Sequence, residues 1–314
     1  MSGDVSKHGT DRTVDGRKLT PPIRAVGFNP REDATAEVTT LRALRERCDP
    51  SEFDERVQRP SFDMILHVTA GATDHEVDFR RFALSPGDVL WVHSGQTQRW
   101  GDVWSMDAVV VIFASTTLAP ATVNVLRTLG VTQNGYWPDA ATEGTHLSRE
   151  FAALLEYSDS RKRSGALGGD VHRIALQHRV SALLAELAAH VADATHAAPS
   201  ERRLVHLAFV DAVEENFTRH RTVGRYADLL SYSPRTIDRA TRSITGLSAK
   251  QLIDKRVLLE AKRLLVHNDE PVAAVASRLG FDDAANFSKF FVRNEGSSPG
   301  TFRRNSLSSK PSRP

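Results

Sequence analysis

The sequence is poor in the features that mark secreted and membrane proteins. It contains one cysteine, Cys48, which is too few for an internal disulfide or a structural zinc site and fits a reducing compartment. No apolar run approaches the roughly 20 residues that a membrane-spanning helix requires. The longest candidate, AVVVIFA at 108–114, has the length of a strand. Residues 1–20 are polar, without the apolar segment of a signal peptide. We therefore expect a cytoplasmic protein with a disordered tail over residues 1–20 and no membrane partner.

Net charge is also small, at +2, but it is unevenly distributed. Residues 200–314 contain 20 lysines and arginines and 13 acidic residues, which gives this part a net charge of +7. The other 199 residues contain 21 basic and 26 acidic residues, which gives −5. A basic C-terminal part favours an anionic partner such as nucleic acid, although a merely solvated basic surface has the same composition.

At about 150 residues per domain, the chain length predicts two domains. Short segments rich in β-branched and aromatic residues, separated by turn signals, predict the strands of an antiparallel barrel or sandwich. Their bounds are 62–69, 76–84, 88–93 and 107–114. Between 146 and 193, apolar residues at helical spacing predict two helices that serve as core or as a dimer face. A linker at 194–200, a helical domain at 201–305 and a disordered tail at 306–314 complete the chain, so the predicted fold class is α+β.

Residues 223–244 have the pattern of two short helices joined by a tight turn. Ser233 is a good N-cap, and Pro234 follows at the first helical position, where its missing N–H costs nothing. In the second helix we expect Ile237, Ala240 and Ile244 to point inward. The outward residues are then Arg235, Asp238, Arg239 and Arg242. Three outward arginines suit a helix that enters the major groove, because arginine can bond guanine O6 and N7 together. A surface helix with solvated charges is the alternative.

The same pattern recurs about 47 residues further along the chain. Gly280 supplies a left-handed turn residue, Asp282 or Asp283 caps the next helix, and Phe287 and Phe291 are expected to face inward. The outer face then carries Ala285, Ser288, Lys289 and Val292. A helix over 248–266 joins the two patterns and spans roughly 27–30 Å, close to the ~34 Å between successive major-groove faces. One chain is therefore long enough to reach two adjacent grooves.

An ordered set of residues along 200–305 carries a family resemblance. The set is Tyr226, Ala227, Ser233, Arg239, Gly246, Leu247, Ser248, Ala261, Leu264, Leu265, Val272, Ala276, Leu279, Gly280, Phe281, Asp283, Phe287, Ser288, Lys289, Phe291, Gly296, Ser298 and Pro299. It resembles the DNA-binding domain of the AraC/XylS family of bacterial transcription regulators. The resemblance implies that both second helices enter the major groove, and that the partners are double-stranded promoter DNA and RNA polymerase. The implied DNA-binding residues are Arg235, Thr236, Asp238, Arg239, Arg242, Ala285, Asn286, Ser288, Lys289 and Arg293.

The second unit departs from the family pattern. Lys289 stands where arginine is common, Val292 where lysine is common, and Ala284 and Ala285 replace longer polar residues. Lysine is a point charge and lacks the guanidinium fork. We therefore expect the second unit to contribute more phosphate positioning and shape fit than base reading, while alanine contact with a thymine methyl group stays open.

The strand-rich segment is similar to the cupin-like sensor barrel of the same family, best at GDVLWVHSGQTQRWGD, residues 87–102. Gly87 and Gly95 fit the turns of a cupin motif, but Gln98 stands where the metal-binding histidine belongs. Because an amide is a poorer transition-metal ligand than imidazole, we expect no metal, no cofactor and no catalytic residue. Aromatic walls with a few polar groups suit a small ligand, although the same side chains can simply fill the barrel. The candidate pocket residues are His67, Trp91, His93, Gln98 and Trp100.

These patterns predict a sequence-specific transcription regulator in the bacterial cytoplasm, associated with the nucleoid. By family precedent it is an activator, and a barrel domain over 21–193 senses a small-molecule effector and forms a homodimer through helices 146–193. Two alternatives stay open. One is a ligand-independent DNA-binding regulator whose barrel only dimerises, and the other is a cupin enzyme tethered to DNA.

Overall fold

A computed structural model describes most of the chain. The described residues are 13–14, 17–18, 24–26, 36–53, 57–114, 117–118, 121–123, 126, 135–162, 169–195, 200–267 and 270–308. Most of the two predicted tails, and residues 196–199 of the predicted linker, lie outside these ranges. The last helix continues beyond residue 305, to Ser308.

The N-terminal half folds into two five-stranded sheets that enclose a core. The strands are β1 Thr13–Val14, β2 Arg17–Lys18, β3 Arg24–Val26, β4 Ala36–Thr40, β5 Gln58–Pro60, β6 Asp63–Gly71, β7 Thr73–Val77, β8 Arg80–Leu84, β9 Val89–Val92, β10 Gln98–Trp100, β11 Met106–Phe113 and β12 Tyr136–Trp137. The first sheet has the order β3-β5-β10-β7-β8, and the second has the order β12-β9-β6-β11-β4. Neighbouring strands pair antiparallel in both sheets, except that β3 and β5 are parallel.

Helices cover one sheet and build the C-terminal half. They are α1 Leu41–Arg47, α2 His146–Lys162, α3 Gly169–Thr195, α4 Glu201–Asn216, α5 Val223–Leu230, α6 Pro234–Thr245, α7 Ala249–His267, α8 Val272–Arg278, α9 Ala284–Glu295 and α10 Pro299–Ser308. The two cores of the C-terminal half lie at the two ends of α7. Within the described part of the chain, no helix is long and apolar enough to span a membrane. The α+β fold class is confirmed.

The second sheet is buried on both of its faces, which explains its long apolar runs. On β11, Val110 and Ile112 point into the core between the sheets, whereas Val109, Val111 and Phe113 point to the outer face. Helices α2 and α3 pack on that outer face. A strand covered on both sides shows a nearly continuous apolar sequence and not a simple alternation.

The apolar stripes of α2 and α3 are therefore part of a core. Phe151, Val180, Leu184 and Leu187 are completely buried against the sheet within a single chain. Of the two roles that the sequence left open for these stripes, the structure assigns the core. They are not available as a dimer face, because the sheet already covers them. Val171, by contrast, is 73% exposed on α3.

One predicted strand is wrong, because residues 76–84 form a hairpin. Strand β7 ends at Val77 and β8 begins at Arg80, while Asp78 and Phe79 have φ values of 48° and 66°. Two successive left-handed residues make a tight hairpin turn of the kind usually built from Asn-Gly or Asp-Gly. Phenylalanine carries no such signal, so the turn was not visible in the sequence. The other three predicted strands are confirmed as β6, β9 and β11.

We expect Phe151→Ala to lower the free energy of unfolding of the N-terminal half by about 3–5 kcal/mol, because it opens a cavity beneath α2. Urea unfolding followed by tryptophan fluorescence measures this half, since all four tryptophans lie between residues 91 and 137. Val171→Ala on exposed α3 surface is the matched control and should change the free energy by less than about 0.5 kcal/mol. Equal losses in the two variants would contradict the packing of α2 described above.

Candidate nucleic-acid interface and cavities

Helices α5 and α6 form the first helix-turn-helix unit. Ser231 follows the last residue of α5 and turns the chain with a φ of 57°. The Ser233 hydroxyl caps α6 by accepting from the Thr236 backbone N–H at 3.0 Å. Ile237 and Ala240 are buried, as predicted.

Ile244 corrects the prediction for the last turn of α6. Its side chain was expected to point inward but is 45% exposed, whereas Thr241 is completely buried. Ile244 lies on the same side of the helix as Ile237, but the last turn of α6 extends beyond the core that buries the first two turns.

The outward face of α6 is open to solvent. Arg235, Thr236, Arg239 and Arg242 are all exposed. Asp238 has a structural task on this helix. Its carboxylate accepts from Arg242 Nε at 2.7 Å and from the Ala249 backbone N–H at 3.0 Å, so it ties α6 to the first residue of α7.

The charged side chains on this face of α6 differ in whether they form an ion pair. The hydrogen bond from Arg242 and that from the Ala249 backbone lower the pKa of Asp238 below its ordinary value. Arg239 forms no ion pair with any residue that the structure describes, so its guanidinium group is free to meet a ligand.

Helices α8 and α9 form the second unit. Gly280 has a φ of 72°, and Asp283 caps α9 by accepting from the Asn286 backbone N–H at 2.6 Å. The Asn286 side-chain amide also donates to Asp283, at 2.8 Å, which holds it at the cap. Phe287 and Phe291 are completely buried, as predicted.

The ten residues predicted to contact DNA all lie on α6 or α9. On α9, Ala285, Asn286, Lys289 and Arg293 are exposed, and Ser288 is half-buried. Because these exposures hold in the full chain, the N-terminal half does not cover the two outward faces. Contact of these residues with DNA stays a prediction.

The structure separates the five residues predicted to line an effector pocket. His67 lies on the outer face of the second sheet, where its ring centroid is 4.7 Å from that of Phe151 and its Nε2 is 2.8 Å from the Ala141 carbonyl oxygen. Gln98 and Trp100 lie in the core between the sheets. Trp91 and His93 remain together, and both line cavities.

Gln98 and Trp100 belong to a buried polar cluster. Gln98 Nε2 and Trp100 Nε1 both donate to Gln58 Oε1, at 3.3 and 3.2 Å. Gln98 Oε1 lies 3.2 Å from His75 Nε2, and the His75 ring stands edge-on to Trp100. The amide at the position of the cupin metal ligand is therefore bonded to neighbouring side chains. Over the described ranges, no three His, Cys, Asp or Glu side chains are grouped as a metal site.

A first cavity of about 240 Å³ lies beside Trp91 and His93. Asp63 Oδ1 accepts from Trp91 Nε1 at 2.9 Å and lies 3.1 Å from His93 Nδ1, which fixes both rings. His93 Nε2 is buried and has no hydrogen-bond partner among the described residues. The apolar wall of this cavity includes Leu118 and Leu126. The cavity therefore has an apolar wall, and a buried ring nitrogen without a partner among the described residues lies beside it.

A second cavity of about 480 Å³ begins at the same two residues and reaches the C-terminal half. It extends to Lys255, Leu258 and Lys262 on α7. Trp91 and His93 are thus shared by a cavity within the N-terminal half and a cavity between the halves. Sequence reasoning missed this second cavity, because its walls come from segments more than 150 residues apart.

A buried ion-pair network joins the same two parts. Arg263 on α7 donates to both carboxylate oxygens of Asp78, at 2.8 and 2.5 Å. Glu260 accepts from Arg59 at 2.9 Å and from Arg263 at 3.1 Å. Burial alone would raise the pKa of Glu260, but the charges of Arg59, Arg263 and Arg256 outweigh burial and hold it below its ordinary value.

The buried histidine of the polar cluster predicts acid sensitivity. Burial lowers the pKa of His75 from 6.5 to about 4, against a smaller opposing effect of its hydrogen bond to Gln98. The unfolded chain takes up this proton near its ordinary pKa, whereas the folded chain resists it. Stability from neutral His75 is therefore complete above the ordinary pKa and is lost as the pH falls towards 4, by about 3 kcal/mol.

Urea unfolding at about pH 7 and about pH 4.5 measures this loss. His75→Gln should show a smaller difference between the two conditions than the unchanged protein, while replacement of the exposed His146 by Gln should leave the difference unchanged. An equal difference in all three proteins would remove His75 as the cause.

Comparisons with known proteins agree with this arrangement. A helix-turn-helix domain model matches residues 226–305. The HTH-type transcriptional activator RhaS of Pectobacterium carotovorum subsp. carotovorum (strain PC1) is 24% identical over 280 residues, which cover 87% of this chain and 95% of the relative. RhaS of Enterobacter sp. (strain 638) is 35% identical over 92 residues, which cover 29% of this chain and 33% of the relative.

Two solved structures also align with this chain. The DNA-binding domain of AdpA in complex with a target DNA is 32% identical, with coverage of 34% of this chain and 96% of its own and a TM-score of 0.31. ToxT from Vibrio cholerae in its P21 form is 11% identical, with coverage of 86% and 97% and a TM-score of 0.41. The curated relatives are transcriptional activators and not enzymes. The C-terminal helices thus match a helix-turn-helix domain, and over most of its length the chain is similar to HTH-type transcriptional activators.

Proposed function

We propose that this chain is a sequence-specific activator that binds promoter DNA through α6 and α9 and responds to a small molecule held beside Trp91 and His93. The observation that carries the proposal is the open face of α6. Arg235, Arg239 and Arg242 are exposed there, on a part of the chain with a net charge of +7. Arginines in this arrangement suit base edges in the major groove and the phosphates beside it.

The two units have unequal tasks in this proposal. Helix α9 offers Lys289 and Arg293 as its cations, and Ala285 stands near its start. The Asn286 amide is already bonded to Asp283, so it must leave this bond before it can read a base. We therefore assign base reading mainly to α6, and backbone and shape contacts mainly to α9.

The cavities beside Trp91 and His93 support a role for a small molecule. An apolar body fits the wall of the first cavity, and a polar group of the ligand gains a bond to the unpartnered His93 Nε2 when the ring turns to expose this buried atom. The second cavity continues from these residues to α7, which connects both helix-turn-helix units. An occupant of this space alters the contact between the barrel and the DNA-binding domain, and this is how we propose that the effector acts.

The same proposal assigns residues 21–193 to the sensor and residues 201–305 to the DNA-binding domain. It also includes a homodimer, contact with RNA polymerase and a cytoplasmic location at the nucleoid. A dimer must use a surface other than the buried stripes, and α3 exposes Val171 and Ile174. The competing function is a ligand-independent regulator whose barrel only dimerises.

Arg239→Ala tests base reading by α6. If Arg239 bonds a base edge, its loss should cost about 1–3 kcal/mol of affinity for the preferred site and relax the preference at one base position. Fluorescence anisotropy on preferred and random DNA measures both effects. Arg202→Ala removes an exposed arginine of α4, outside both recognition helices, and should lower the affinity far less. Unchanged affinity in a folded Arg239→Ala protein would exclude this residue from the reading face.

A screen of small molecules by thermal shift tests the effector site. A ligand present at about 100 times its Kd should stabilise the full chain by about 2.7 kcal/mol and change its affinity for promoter DNA. His93→Gln should weaken both effects, whereas His146→Gln, on the exposed surface of the same half, should preserve them. Promoter binding that no molecule in the screen changes, together with an unchanged melting temperature, would favour the ligand-independent regulator.

A further inference from the structure

We propose that Arg221 is a positioning residue that holds the two helix-turn-helix units at a single separation, so that it determines which spacing of DNA half-sites the protein accepts. This inference rests on the proposed function. Arg221 lies between α4 and α5, in the first half of the DNA-binding domain, but its side chain contacts the turn of the second unit.

The first observation is the contact of Arg221 itself. The centre of its guanidinium group lies 3.3 Å from the centroid of the Phe281 ring, and its Nη2 donates to the Leu279 carbonyl oxygen. A planar guanidinium group both stacks on an aromatic face and donates in its own plane, which lysine cannot do. Arg221 therefore holds the turn between α8 and α9 by two different interactions.

The second observation is the backbone of that turn. Gly280 has a φ of 72°, and a Cβ atom at this position would collide with the carbonyl oxygen of Thr218. The turn of the second unit is therefore seated directly on the loop that precedes the first unit. This approach is open only to glycine, because any other residue adds the colliding atom.

The third observation is a shared core. Phe290 of α9 packs in the core that Phe209 of α4 forms with Tyr226 and Ile237 of the first unit. The Phe281 ring lies 5.2 Å from the Phe290 ring. Phe217 at the end of α4 contacts the cores of both units. The units are consequently joined by packed side chains in addition to α7, and α7 is not a free hinge between them.

A rigid pair of recognition helices has a consequence for DNA. Successive major-groove faces on one side of B-DNA are separated by one helical turn, and each inserted base pair both lengthens the site and rotates it by about a tenth of a turn. A protein whose two recognition helices are held rigidly can then bind both half-sites at only one spacing. At any other spacing it binds a single half-site. Loosening the junction at Arg221 lets the second unit follow a shifted half-site.

The experiment uses the full chain and a site selected from random DNA. Affinity is measured for that site, for variants with one or two base pairs inserted or deleted between the half-sites, and for a site with only the half read by α6. The unchanged protein should bind the shifted sites 10-fold or more weakly than the selected site. In Arg221→Ala this ratio should fall to about 3-fold or less, with the affinity for the single half-site unchanged.

Two further variants distinguish the positioning role of Arg221 from an effect of its charge and from a loss of folding. Arg219→Ala removes an exposed cation two residues away and should keep the spacing profile of the unchanged protein. Arg221→Lys keeps the charge but loses the planar stack, and its spacing ratio should lie between those of the unchanged protein and Arg221→Ala. If Arg221→Ala lacks the helical circular dichroism of the unchanged protein, Arg221→Lys decides the question.

The outcomes that overturn the inference are distinct from failure of the proposed function. A folded Arg221 variant with the unchanged spacing profile, or with an equal loss on every site including the single half-site, overturns the positioning role. Equal affinity of the unchanged protein for all spacings also overturns it. Failure of the unchanged protein to select any DNA sequence instead overturns the proposed function.

Discussion

The bidentate ion pair between Asp78 and Arg263 is the most buried of the ion pairs that join the barrel to the DNA-binding domain. The two side chains are about 10% exposed or less, and Asp78 also accepts from the Thr97 backbone N–H at 3.1 Å and from Gln96 Nε2 at 2.7 Å. Transfer of two charges out of water costs several kcal/mol per ion, so a buried pair is sustained only where its remaining hydrogen-bonding positions are also satisfied. Loss of Arg263 leaves the buried Asp78 carboxylate without this countercharge, whereas loss of Asp78 leaves Arg263 with Glu260 as a remaining ion-pair partner. The pair therefore fixes the orientation of α7 on the barrel.

The hairpin that presents Asp78 is strained, and the DNA-binding domain supports it. Asp78 tolerates a left-handed backbone, but a bulky residue such as Phe79 is rarely found there, and such residues cost of order 1–3 kcal/mol each. The Phe79 ring stands edge-on to Phe302 of α10 with centroids 5.9 Å apart, and Lys262 Nζ lies 5.9 Å from its centre. Glycine at this position would relieve the strain but would lose both contacts. The turn conformation is thus coupled to the interface beside the second cavity.

The parts of the structure that the sequence predicts well are those with local causes. The Ser233 cap, the left-handed Gly280 and the buried Phe287 and Phe291 are each determined by residues within one or two helical turns, and all are confirmed. The interdomain contacts have no such signal, since Asp78 and Arg263 are 185 residues apart.

For a similar reason, the sequence does not show that the five residues of the predicted effector pocket lie apart. His67 and Trp91 face outward from their sheet, whereas Gln98 and Trp100 face the core of the barrel. Alternation along a strand shows which residues share a face but not which face points inward, because this sheet is buried on both sides. Only the assembled helices α2 and α3 identify the outer face.

Helix α7 emerges as the element on which both recognition helices depend. Asp238 of α6 accepts from the backbone of Ala249 at its start, and Glu295 of α9 pairs with Lys262 near its end at 2.5 Å. Arg263, the next residue after Lys262, joins α7 to the barrel. A displacement of α7 on the barrel must therefore move both recognition helices together, while their mutual spacing is kept by the side chains packed between them. In the function proposed above, control by the barrel would then act on where the whole DNA-binding domain is placed, and recognition of the half-sites would remain a property of that domain itself.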